Sequence, residues 1–162
     1  MRLIALAATA LLFSGGAALA APASVSVSVG PELQKTFAKT YGERESRLLT
    51  TDLRMSVEKA LARTGGHDGA RIEITLTDVK PNRPTFKQLG DTVGLSMQSF
   101  GVGGATLKGR IVAADGSETP IDYRWYETDI AQSVANWVWS DAELTFDRFA
   151  RRLAKGQEVA RR

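Results

Sequence analysis

The chain has 162 residues, with 21 basic and 18 acidic side chains, one histidine and no cysteine, for a formal charge of +3. Without cysteine there is no disulfide, no thiol chemistry and no cysteine-ligated zinc, so packing must hold the fold together. A charge this close to balance carries no nucleic-acid footprint.

Residues 1–20, MRLIALAATALLFSGGAALA, place Arg2 before a short apolar run from Leu3 to Phe13 and a small-residue segment ending Ala18-Leu19-Ala20. That order reads as a secretory signal peptide cleaved after Ala20. The apolar run is shorter than the roughly 20 residues of a membrane-spanning helix, and no cysteine follows to carry a lipid. Losing Arg2 from the 21 basic residues leaves 20 against 18 acidic ones, a charge of +2. The expected mature protein is periplasmic or secreted, without a transmembrane segment. Its remaining length, about 140 residues, suits one domain with one core.

Ser24 to Val29, SVSVSV, alternates as a strand with Val25, Val27 and Val29 on one side, and Gly30-Pro31 ends it. Leu33, Phe37 and Tyr41 fall at i, i+4 and i+8, the spacing of a short helix or an ordered connection. Thr40 to Glu43 fits a capping box opening a helix from about Gly42 to Arg63, with Leu49, Leu53, Val57, Ala60 and Leu61 as its apolar stripe. Gly65-Gly66 stops it. Arg71 to Val79, RIEITLTDV, is a second strand with Ile72, Ile74 and Leu76 inward. Strand, helix and strand predict a parallel pair with a right-handed crossover. Residues 81–104 then form a long glycine-bearing connection, a length that goes with function or mobility.

Gly103 to Tyr126 predicts a β-hairpin. Ala105, Leu107, Gly109 and Ile111 alternate with polar residues, as do Ile121, Tyr123 and Trp125. Both apolar sets are odd-numbered, so facing residues have even-numbered sums and the loop at Asp115-Gly116 must be odd in length; three residues with a bulge satisfy this. Phe100 and Val102 have the opposite parity, which predicts a second bulge at Gly103-Gly104. Gly109 is expected beside the Tyr123 ring, and Arg110 is expected to pair with Asp122 on the outer face. Residues 127–139 fit a loop, a short helix or a strand equally. Ser140 to Glu143 is a second capping box, with Trp139 stapling onto Leu144. The helix it opens reaches about Lys155, buries Ala142, Phe146, Phe149, Ala150 and Leu153, and turns Arg148, Arg151, Arg152 and Lys155 outward. Residues 157–162 read as a frayed basic tail. The fold class is therefore α+β, a two-layer sandwich of a mixed sheet of four to five strands with two helices on one face.

No set of residues assembles a catalytic constellation. His67 lies in a GGHDG turn with only Asp68 beside it, and acid-base work needs a placed partner. Gly101 to Gly104 precedes a strand and lacks the lysine of a phosphate-binding loop. Asp78, Asp91, Asp115, Asp129 and Asp141 are not spaced as a calcium loop, and no cofactor or metal site is expected. Two surface features remain. Arg148, Arg151, Arg152 and Lys155, with Arg161-Arg162 beyond them, suit an anionic partner or surface, or else simply complement the helix dipole. Trp125, Trp137, Trp139, Tyr123 and Tyr126 make an aromatic region from which Phe100, Tyr126 and Trp137 are expected to line a groove under the 81–104 connection.

ARIEITLTDVKPNRP, GGATLKGRIVAADG and WSDAELTFDRFARRLA together resemble uncharacterised secreted bacterial proteins and lipoproteins of a domain-of-unknown-function type, which implies an envelope location and an α+β sandwich. The absent lipobox cysteine departs from the lipoprotein members. The expectation is a non-catalytic envelope module that binds a protein or an anionic surface, with a homodimer through a sheet edge as a further possibility. The alternatives are a carrier of a small hydrophobic ligand and, behind it, a hydrolase.

Overall fold

A computed structural model describes residues 22, 24–133 and 136–160. The expected signal peptide and Arg161-Arg162 lie outside the described residues. Four strands form one mixed sheet in the order β1-β2-β3-β4: β1 (Ser24–Val29), β2 (Arg71–Lys80), β3 (Gly104–Val112) and β4 (Glu118–Tyr126). β1 and β2 are parallel, and the other two pairs are antiparallel. The long helices α2 (Glu43–Thr64) and α4 (Ser140–Ala154) pack on each other and on one face of the sheet. This is the α+β arrangement that the alternations predict.

The core follows from two periods. On α2, Leu49, Leu53, Val57 and Leu61 are fully buried at four-residue spacing, with Ala60 partly so. On the sheet, Ile72, Ile74, Leu76, Leu107, Ile111 and Ile121 meet them, together with Phe146, Phe149 and Leu153 of α4. Each such aliphatic or aromatic burial is worth about 1.5–3 kcal/mol. The opposite sheet face is polar: Arg110 pairs with Glu73 at 2.8 Å and Glu118 at 3.1 Å, and Lys108 approaches Asp122 at 3.9 Å. Arg110 thus pairs away from Asp122, because the register sets Pro120 opposite it.

The hairpin loop is odd in length. Val112 pairs with Glu118, Ala113 N–H donates to Ser117 O at 2.9 Å, and residues 114–116 form the tip with Gly116 at φ +85°. Gly109 lies opposite Ile121 and diagonal to Tyr123, but its necessity comes from the other neighbour. A Cβ there would stand 1.9 Å from the Glu73 carbonyl oxygen of β2.

Several local expectations are corrected. The bulge is at Thr77 in β2 rather than at Gly103-Gly104, since Leu76 faces Leu107 and Asp78 faces Thr106. Thr77 Oγ1 donates to Thr106 O at 3.1 Å, and the inward set passes from Leu76 to Val79 across it. Residues 31–41 form α1 (Pro31–Thr36) and a π-helical turn (Phe37–Tyr41), and Gly42 rather than Thr40 precedes α2, with no side-chain cap. The expected box at Ser140 is also absent, because Ser140 is already helical and its hydroxyl exchanges bonds with Trp137 N–H and Trp137 O. A capping box does form at Thr85 and Gln88, starting α3 (Phe86–Asp91) inside the 81–104 connection. Residues 127–133 and 136–139 contain neither helix nor strand. The tail is not frayed over its described part: Val159 is buried and its carbonyl accepts Asp122 N–H from the β4 edge at 3.0 Å.

Candidate functional site

The two connections flanking the hairpin are fastened together by one buried polar pair. Asn82, just past β2, and Asp141, in the first turn of α4, are 2% and 1% exposed. Asp141 Oδ2 accepts from Asn82 Nδ2 at 2.6 Å, from Gly103 N–H at 2.8 Å and from Ser133 Oγ at 3.3 Å. In return Asp141 N–H donates to Asn82 Oδ1 at 2.8 Å, and Asn82 N–H donates to Val138 O at 2.7 Å. Asn82 Nδ2 also reaches Gly101 O and Ser133 Oγ. Asp141 Oδ1 is buried without a partner among the described residues. Both ends of the 81–103 connection, together with Ser133 and Val138, are thereby pinned to the start of α4.

Against this frame lies an apolar hollow of about 280 Å³. Arg44, Glu45 and Leu48 of α2 form one wall, residues 83–86 and Met97 a second, and residues 136–138, including Trp137, a third. Its aromatic wall is held by polar groups: Trp137 Nε1 donates to Glu143 Oε1 at 2.6 Å, and Trp139 Nε1 donates to Glu45 Oε2 at 2.7 Å. Trp139 itself is fully buried, edge-on to Tyr41 at 5.5 Å. Arg83 donates to Met97 O at 2.8 Å and lies over the Phe100 ring at 5.9 Å, which folds the 97–100 stretch back onto the wall. Phe86, Met97 and Trp137 are nonetheless 76%, 55% and 45% exposed. Val93 and Phe100 stand out from the same connection.

The three residues expected to share a groove do not. Trp137 lines the apolar hollow, and Phe100 lines an adjoining shallow one with which it has Arg83 and Pro84 in common. Tyr126 belongs to the polar sheet face, where its hydroxyl donates to Asp78 Oδ2 at 2.5 Å and lies 3.0 Å from Thr106 Oγ1. Burial, then the bond to Asp78, pushes its phenol well above the usual range.

Arg148, Arg151, Arg152 and Lys155 do converge. With Tyr123, Trp125 and Gln157 they surround an open groove of about 390 Å³ between α4 and β4, and none of the described residues lining it is a carboxylate. His67 is at a helix end: its Nε2 donates to Leu153 O at 3.0 Å, and its φ is +62°. Between α2 and α4 lies a cleft of about 550 Å³ lined by Asp52, Glu58, Glu143 and Asp147 among others. Burial raises the carboxyls of Asp52 and Glu143, and for Glu143 the nearby Asp52 and Asp147 add to the effect while the Trp137 bond opposes it. No group of three or more metal-ligating side chains occurs among the described residues, and no helix among them is long and apolar enough to cross a membrane.

Comparison with family models, curated proteins and solved structures gives no match for this chain. The Asn82–Asp141 pair has no sequence motif, since 59 positions separate its members. The exposed apolar residues of 86–100 leave only an ambiguous signal: Val93, Leu95 and Met97 have strand spacing, Phe86, Val93, Met97 and Phe100 have helical spacing, and residues 92–103 form neither element.

Proposed function

We propose that this chain is a non-catalytic module of the cell envelope that binds a partner protein through the apolar hollow formed by α2, residues 83–86, Met97 and Trp137. The observation that carries this is the outward display of large apolar side chains around a hollow whose frame is fixed. Phe86 and Met97 are more than half exposed, yet their connection is pinned at both ends by Asn82 and Asp141. Exposed apolar clusters rimmed by polar groups, here Arg44, Glu45 and Arg83, are characteristic of interaction sites.

Exposure favours a protein over a small apolar ligand. The hollow, about 280 Å³, is at the small end of small-molecule sites, and those sites bury most of their ligand, whereas Phe86 and Met97 stand more than half exposed. Side chains standing this far out would be covered by an opposing surface and would not enclose a molecule. One or two apolar side chains of a partner fit the hollow, with Phe86 and Met97 packing around them.

A photo-crosslinking residue placed at Phe86 or Met97 in the expressed protein tests this. Discrete protein adducts from both positions, absent when the label is placed at Glu32 on α1, are expected. Adducts with lipid alone, or equal labelling from all three positions, would overturn the proposal.

A further inference from the structure

A second surface, remote in kind from the apolar hollow, has the chemistry of an anion site. Arg148, Arg151 and Arg152 of α4 and Lys155, the residue just after it, are exposed and ring the groove floored by Tyr123 and Trp125. None of the four is in an ion pair with a described residue. Among the described residues, the one hydrogen bond made by their charged groups runs from Arg152 Nη2 to the neutral Glu158 backbone carbonyl at 3.0 Å. Elsewhere on the surface, cations that share a face with carboxylates pair with them, as Lys35 does with Glu32, Arg54 with Glu58 and Lys87 with Asp91.

Dipole complementarity accounts for cations in the last turn of a helix, as Arg151 and Arg152 are, but Arg148 lies about one turn before it. Its guanidinium sits 4.2 Å from the centre of the Trp125 indole. A guanidinium laid on an aromatic ring keeps its in-plane donors free and loses less freedom when they engage an oxyanion bidentately. Trp125 is held in turn, because Thr145 Oγ1 of α4 donates to its carbonyl at 3.2 Å. The groove is concave and offers one planar fork, two further guanidiniums and an ammonium, more positive charge than a single phosphate neutralises.

We infer that the groove between α4 and β4 binds a soluble ligand carrying two or more adjacent phosphate groups, with Arg148 as the preorganised bidentate contact. A membrane surface fits less well. The groove lining has no exposed aliphatic side chain to insert between headgroups, and the exposed apolar residues Phe86, Val93 and Met97 belong to the other connection.

Inorganic triphosphate is the probe, titrated into the full chain by calorimetry at low and at physiological salt. Each removed charge is expected to weaken binding about fivefold, so Arg148→Gln with Arg151→Gln should lose about 25-fold. Arg148→Lys, which keeps the charge but not the planar fork, should lose at least threefold. Arg47→Gln with Arg63→Gln, two exposed cations of α2, should leave the affinity within twofold. Failure of the wild type to bind triphosphate, or equal losses in the groove and α2 pairs, would overturn the inference. So would binding to phosphatidylglycerol-containing vesicles without binding to triphosphate, which would place the anion in a bilayer.

Discussion

Replacing Asp141 by alanine removes the acceptor on which three segments converge. Gly103 N–H, buried, loses its only acceptor among the described residues, a cost of about 1–3 kcal/mol for an unsatisfied buried donor. Asn82 Nδ2 keeps Gly101 O and Ser133 Oγ, so its loss is smaller, about 1 kcal/mol. Against these stands relief of one unpartnered carboxylate oxygen. With that relief set against a gross cost of about 2–4 kcal/mol, the net expectation is destabilisation by about 1–3 kcal/mol, while Asp141→Asn, which keeps one acceptor oxygen, should cost clearly less, under about 1 kcal/mol. Urea unfolding reads both: the midpoint should fall for alanine with an unchanged slope. Hydrogen exchange at Gly103 should quicken in the same variant. If alanine cost under 0.5 kcal/mol, or if asparagine cost as much as alanine, Asp141 would not be the fastening point described.

Gly109→Ala should be poorly folded or destabilised by more than about 3 kcal/mol, because its Cβ would meet the Glu73 carbonyl, whereas Gly116→Ala, at φ +85° in open space, should cost about 1 kcal/mol; urea midpoints separate them. Val159→Asp should lose about 1.5–3 kcal/mol of burial and speed exchange of the Asp122 amide, and an unchanged midpoint would show that the tail is not docked. The Glu143 carboxyl is raised in the fold above its ordinary value of 4.5, so the native state favours its protonated form. That contribution is fully present below the unfolded value and is lost as pH rises through the folded one. Relative to Glu143→Gln, the wild type should therefore lose stability with rising pH above about 4.5 and then level off, as urea midpoints taken from pH 4 to 8 will register.

What the sequence conveys here is whatever has a local period. Val25, Val27 and Val29 declare a strand, Leu49 to Leu61 a helix face, and the odd parity of Leu107 and Tyr123 the length of a turn that brings them opposite each other. The α4 stripe is legible for the same reason, and it correctly sends four cations to one surface. Where a residue's role depends on a distant partner, the sequence misleads. Gly103 and Gly104 look like a bulge, but they are small because a Cβ would strike Lys80 O in one case and Trp125 O in the other. The bulge falls instead on Thr77, whose hydroxyl gives no warning of it. Ser140 and Glu143 have capping-box spacing, yet both are drawn to Trp137. Val159, in a charged tail, signals nothing until Asp122 offers it an amide. Asp141 is most instructive: an acidic residue at a helix start is sufficiently explained by the dipole, and that explanation conceals the clamp.

Partner binding at the apolar hollow is tested most directly by the affinity of the protein captured at Phe86 and Met97 for the wild type and for Phe86→Ser with Met97→Ser. Both side chains are exposed, so the double variant should unfold at the wild-type urea midpoint. The account predicts that its affinity falls at least tenfold, about 1.4 kcal/mol or more, as loss of two apolar contacts at the centre of an interface would produce. Equal affinity in the two proteins would contradict it.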